Sequence, residues 1–256
     1  MAEVIFSLRK LKMRKSIYLF LFGLIVAGCS ATPIKPEQKA GLHSIAVVSL
    51  MGNDLEFTKV GFTVFNNDSF VRDTSSWNID SNVEKLTKEQ LQKSSSDFKI
   101  IEVPFDRAEL TKIYKPAGSW GEYASLDRIK PELKKKLDQT PADAVLVVHR
   151  QNGQDPIAMT NVHLQGYGVF YRTLPLVDPL VKPYAIFSIV LLDGKTLKPI
   201  ATKYVRGVSV EFGKTKISWD DELKNHLSDE LFSRFESSIN VVIKGNVESG
   251  LKEMGL

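Results

Sequence analysis

The chain has 256 residues, of which 34 are basic and 30 acidic. Residues 1–28 hold five of the basic residues and one of the acidic, which leaves 29 of each in the other 228. That neutrality removes the basic footprint expected of a nucleic-acid binder. A single cysteine, Cys29, leaves no pair for a disulfide or a cysteine-ligated metal site. The chain must therefore rely on a hydrophobic core, and at this length about 70% of the unfolded surface can be buried.

The first element in chain order is the apolar run at 17–28, preceded by "RKLKMRKS". A membrane-spanning helix needs about 20 apolar residues. Twelve fit the core of a secretory signal, with Arg9, Lys10, Lys12, Arg14 and Lys15 as its positive flank. Met13 offers a tidier start than Met1. The run ends in "VAGC", Val26 to Cys29, which resembles the lipobox of bacterial lipoproteins. Small residues at Ala27 and Gly28 give a peptidase access to the backbone. The resemblance implies diacylglyceryl transfer to the Cys29 thiol, cleavage before it, and a mature chain held at a membrane by lipid. Ser30 follows, and in the Gram-negative sorting rule that this resembles, serine there sends a lipoprotein to the outer membrane. The expected location is the periplasmic face of the cell outer membrane.

Residues 29–42 read as lipidated cysteine plus flexible tether, with two prolines and no apolar period. A single domain is expected over 43–256. It opens with the buried-strand run "IAVVSL", and "EFTKVGFTVF" predicts one or two further strands ended by "NNDS". Ser81 to Glu84 matches a capping box, predicting a helix to about Lys93. "FKIIEVPF" predicts a strand, "YKPAGSWGEY" a Gly/aromatic loop, and 126–137 a helix restarted at Pro131. "ADAVLVVHR" predicts another buried strand. Three prolines, Pro175, Pro179 and Pro183, argue against a regular strand in 164–184. That aromatic-rich stretch is a candidate partner-binding loop carried by Tyr167, Phe170 and Tyr171. Two β-rich runs flank Asp193-Gly194-Lys195-Thr196, a tight hairpin in which Gly194 would take positive φ. A second capping box at Ser218 to Asp221 opens a helix whose apolar face is Leu223, Leu227, Leu231, Phe235, Ile239 and Val242. "VESGLKEMGL" adds a last turn or two.

This order predicts an α/β or α+β fold, a mixed sheet with helices packed on it, a late antiparallel hairpin and a long C-terminal helix. The order and the "VLLDGKTLKPIA" hairpin resemble periplasmic lipoprotein domains of the CsgG, TolB N-terminal and LpoB kind. That likeness implies assembly with an envelope protein, or self-association, rather than catalysis. No cofactor or metal is expected, since the four histidines lack paired ligand spacing and "GYGVFY" lacks the third glycine of a dinucleotide loop. The rival expectation is an envelope hydrolase using dispersed groups such as Asp54, His149 or His163. His226, with Glu222 and Glu230 on its helical face, reads as solvated surface.

Overall fold

The computed structural model describes residues 31–94, 98–114 and 125–256, and residues 31–256 form one compact unit. The lipobox with Cys29 and Ser30, and residues 115–124 of the Gly/aromatic loop, lie outside the described residues. The fold is α+β: a mixed nine-stranded sheet with helices against it and a long C-terminal helix.

The strands are β1 (Ser44–Leu50), β2 (Asp54–Val60), β3 (Asp68–Asp73), β4 (Lys99–Ile101), β5 (Ala144–Arg150), β6 (Asn152–Gln154), β7 (His163–Leu174), β8 (Val177–Asp193) and β9 (Pro199–Val208). Their order is β3-β2-β7-β8-β5-β1-β4, with β6 on β7 and β9 on β8. The pairs β1/β4, β1/β5 and β2/β7 are parallel; the others are antiparallel. β8 organises the sheet. One of its edges is shared end to end, by β7 up to Ile186 and by β5 from Phe187, while β9 pairs along the other.

The helices are α1 (Pro36–Ala40), α2 (Ile79–Ser94), α3 (Arg107–Tyr114), α4 (Lys130–Gln139) and α5 (Asp229–Met254). On one face of the sheet, α2 and α5 cover a continuous core running from Ile45, Val47 and Phe57 to Phe187, Ile189 and Phe235. Phe57 stacks on Phe70 at 4.7 Å and meets Phe235 edge-on at 5.9 Å. Aromatic quadrupoles favour both geometries. The opposite face is divided. Leu110 and Tyr114 of α3 and Leu133 and Leu137 of α4 cover Ala46, Val48, Val145 and Val147. Over the other half, Leu164, Phe170, Tyr184 and Ile186 are covered by Ile157, Ala158 and Val162. Buried Asp155 fixes that covering loop by accepting from Ile157 N (2.7 Å), Ala158 N (3.1 Å) and Thr160 N (3.1 Å).

Several expectations need correction. Residues 31–42 are docked rather than a free tether. Thr32 exchanges backbone bonds with Thr202 (2.8 and 3.1 Å), Ile34 is buried, and α1 follows. The polar composition misled because β9 offers a free edge for this segment to complete. "EFTKVGFTVF" forms β2 and a short 3-10 turn, and its antiparallel partner is β3, whose alternating edge-strand pattern carried too little apolar signal. Helix α2 starts at Ile79, so Ser81 lies inside it; the start falls three residues earlier, where Trp77 and Ile79 are buried.

The 164–184 stretch is not a loop but the β7–β8 hairpin, turning at Pro175 and Leu176. Its prolines are tolerated for a positional reason. Val181 N donates to Gly213 O, and Pro179 O and Pro183 O accept from Thr215 N and Ser209 N. The three alternate residues thus face away from β7, and the missing proline N–H groups remove no β7–β8 ladder bond. The late hairpin is present, but its positive φ belongs to Leu197 (+52°), not Gly194. Gly194 is required for space, since a Cβ there would lie 2.0 Å from Ala142 O. The C-terminal helix is broken in two. Ser218 caps a π-helical turn, Trp219–Asn225, with Glu222 rather than Asp221 reaching back to Ser218 N (2.6 Å). Ser228 then caps α5 through Leu231 N (3.2 Å), and α5 runs 26 residues, absorbing the tail.

Candidate functional site

The C-terminal end of β1 is where side chains of several elements converge. β4 stops opposite Ala46, so the amides of β1 beyond it have no strand partner on that edge. Helix α2 supplies the acceptors instead. Glu84 Oε1 accepts from Ser49 N (3.0 Å), and Asp80 Oδ1 accepts from Met51 N (2.6 Å) and Ser49 Oγ (2.7 Å). Asp80 Oδ2 accepts from Gly52 N (3.2 Å), where φ is +76°. Glycine adopts that left-handed backbone without steric cost. Spaced four apart, the two carboxylates lie on one helical face. Burial raises the Asp80 pKa against the opposing pull of its three donors. Arg107 at the start of α3 pairs with Glu84 at 2.9 Å. Gly52, Asn53, Ser75, Asn78, Asp80, Ser81, Arg107 and Thr111 line a cleft of about 440 Å³ in front of them.

Behind the cleft, β5 ends in His149 and Arg150. Tyr114 Oη donates to Arg150 O (2.6 Å), and its one hydrogen is then committed. His149 Nδ1 lies 2.8 Å from that hydroxyl oxygen and is therefore the donor to it. A neutral imidazole carries one N–H, so Nε2 is left as a bare acceptor. It is buried and has no partner among the described residues. Burial pushes the imidazole pKa down to about 4, so the ring is neutral at pH 7. Arg150 is buried and pairs with Asp54 at 3.1 Å. Gly166, with φ +59°, sits against that guanidinium, since a Cβ there would lie 3.0 Å from Arg150 Nε. Glu56, raised in pKa by burial, accepts from Gln165 N and Tyr184 Oη, both 3.1 Å away.

The structure therefore brings Asp54 and His149 to one corner through Arg150, but in structural roles. Asp54 is an exposed ion-pair partner, and His149 faces the α3 side of the sheet. His163, His43 and His226 are exposed, on β7, before β1 and after the π turn respectively. The proposed partner-binding trio is core: Tyr167, Phe170 and Tyr171 are all buried in β7. Tyr167 Oη donates to Gly52 O (2.8 Å) and Tyr171 Oη to Ile217 O (3.0 Å), so the hydroxyls close loops rather than meet a partner. Sequence reading missed Asp80, Glu84, Arg107 and Arg150. The available signal was the i, i+4 carboxylate pair on a helix whose next apolar positions face the core. Among the described residues, no three His, Cys, Asp or Glu side chains are grouped to hold a metal, and no helix is long and apolar enough to cross a membrane.

No protein-family model matches the chain, and no curated protein matches it. Among solved structures it is similar to the hypothetical protein CT253 from Chlamydia trachomatis, at 11% identity and a TM-score of 0.32, over 81% of this chain and 99% of that one. It is also similar to the PelC dodecamer from Paraburkholderia phytofirmans, at 11% identity and 0.31, over 86% and 93%. A third likeness is to lipoprotein GNA1162 from Neisseria meningitidis, at 15% identity and 0.27, over 79% and 98%. At such scores these likenesses carry no functional argument.

Proposed function

We propose that the chain is a lipid-anchored cell-envelope protein that acts by binding and assembly rather than by catalysis, facing the periplasm from the outer membrane. The observation that carries the reading is "VAGC" at 26–29, a nucleophilic thiol behind two small residues at the end of a twelve-residue apolar run. Only Ser30 and Ala31 separate Cys29 from Thr32, which is already bonded to β9. Three extended Cα steps span at most about 10 Å, so an acylated Cys29 holds the domain close to lipid headgroups. The binding reading draws support from the β1 corner, where the carboxylates and the imidazole are engaged in holding backbone and neighbouring side chains. In a Gram-negative host, density-gradient fractionation tests the location. The parent chain is expected in the outer-membrane fraction, and Ser30→Asp is expected to move it to the inner-membrane fraction. A parent chain in the soluble periplasmic fraction would overturn the reading.

A further inference from the structure

Apolar side chains are exposed together at one end of the sheet. β3, β2, β7 and β8 are consecutive neighbours, and the parallel pairing of β2 with β7 puts Val60 beside Arg172. The β2–β3 and β7–β8 hairpin ends therefore lie side by side. The first presents Phe62 (70% exposed), Val64 and Phe65 (93%); the second presents Leu174, Leu176 and Val177, with Leu176 fully exposed. Neither 61–67 nor 173–177 contains a charge. Leu176 takes φ +64°. Glycine or asparagine occupies that left-handed region more readily, so an aliphatic side chain is presented there in spite of the backbone.

We propose that the two tips insert into the lipid surface to which the chain is anchored; this rests on the lipoprotein reading above. Shape argues for lipid over a protein partner or second copy. Four strands about 4.8 Å apart give an end roughly 15 Å wide. So narrow an end is poorly matched to the roughly 800 Å² per partner of a stable protein interface. Insertion into a bilayer needs depth instead of a broad flat area. Lys59 and Arg172 stand in the last rows of the ladders, and Lys214 bridges to Leu180. Exposed acids stand near them too, Asp178 on β8 and Asp220, Asp221 and Glu222 of the π turn, whose Trp219 packs on Tyr171, so the collar is of mixed charge and the insertion is carried by the apolar tips. Thr32 lies on β9 opposite Thr202, which pairs Val190, thirteen residues along β8 from Val177. That is about 43 Å of strand, so anchor and tips together hold the sheet lengthwise along the bilayer.

The test uses the full lipidated chain carrying Phe65→Cys, labelled with an environment-sensitive nitrobenzoxadiazole, on vesicles of phosphatidylethanolamine and phosphatidylglycerol. Lipid occupies the Cys29 thiol, so the label goes to position 65. Phe65 is exposed, and its replacement leaves the core intact. The expected result is co-flotation with a several-fold rise in emission that nitroxide-labelled acyl chains quench, while the same label at Val241→Cys on α5 stays aqueous. Flotation with an aqueous signal at position 65 overturns the insertion and leaves the anchor standing. Failure to float removes the anchor and the insertion with it.

Discussion

The corner at the end of β1 and the paired hairpin tips are joined by one strand, β2, and invert each other's chemistry. At the corner, the Asp80 carboxylate, an imidazole and a guanidinium are buried and bonded; at the tips, phenyl and aliphatic groups stand in water. The difference teaches that polarity alone does not mark function in this fold. Burying Asp80 lets one side chain accept from the two amides just past β1, Met51 and Gly52, and from the Ser49 hydroxyl, which is a stabilising role. Exposing Phe65 and Leu176 does nothing for the folded core, and apolar surface concentrated in that way marks an interaction site.

Breaking the corner should therefore destabilise the protein, and breaking the tips should not. The largest effect is expected for Asp80→Ala, which orphans two buried amides and the Ser49 hydroxyl. At about 1–3 kcal/mol each, and less than additively, the loss should be about 3–5 kcal/mol by denaturant titration. A loss below about 1 kcal/mol would mean that water replaces the carboxylate and that the corner is more open than described.

The second effect is a pH dependence. His149 titrates near 6.5 when unfolded and is held down to about 4 when folded. The unfolded state thus binds the proton more readily. The stabilisation is complete above about pH 6.5 and is lost as pH falls toward 4, by about 3 kcal/mol in total. Asp80 and Glu56 shift upward and act in the opposite sense. The check is therefore the difference between parent and His149→Gln in urea midpoints from pH 7 to 4.5, which should narrow as pH falls. A constant difference would place the imidazole in solvent.

Smaller still is Tyr114→Phe, which orphans Arg150 O and His149 Nδ1. The expected loss is about 1–3 kcal/mol. The tips supply the smallest effects and the opposite sign. Leu176→Gly relieves the left-handed backbone and should raise stability by about 1 kcal/mol in thermal unfolding. Phe65→Ser should change it by less than about 0.5 kcal/mol. Substantial destabilisation by either would show that the tips pack against something within the chain.

The strands of the central sheet were legible where both faces are buried, as in "IAVVSL" and "AVLVVHR", because a continuous apolar run needs no period to announce it. β3 and α3 were not. "DSFVRD" is an edge strand with one solvated face, and "RAELTKIY" buries only Leu110 and Tyr114. The β7–β8 hairpin was misread because proline was counted without regard to which way its nitrogen faces, a property set by register rather than sequence. The proposed lipidation of Cys29 rests on a local motif and needs no fold to be read. Asp80 is not, because a carboxylate in a first helical turn already has a reason to be there in the helix dipole. Its second role exists only once the short β4 has left β1 unpaired. Tyr167, Phe170 and Tyr171 read as a partner-binding surface but are core, whereas Phe62 and Phe65 at the neighbouring hairpin tip are exposed.

The claim on which the account depends is that Cys29 carries lipid, and metabolic labelling with a radioactive fatty acid measures it directly. The parent chain should take up label and migrate as a processed protein, and Cys29→Ala should take up none and accumulate as the longer precursor. Undiminished label in Cys29→Ala would contradict the account.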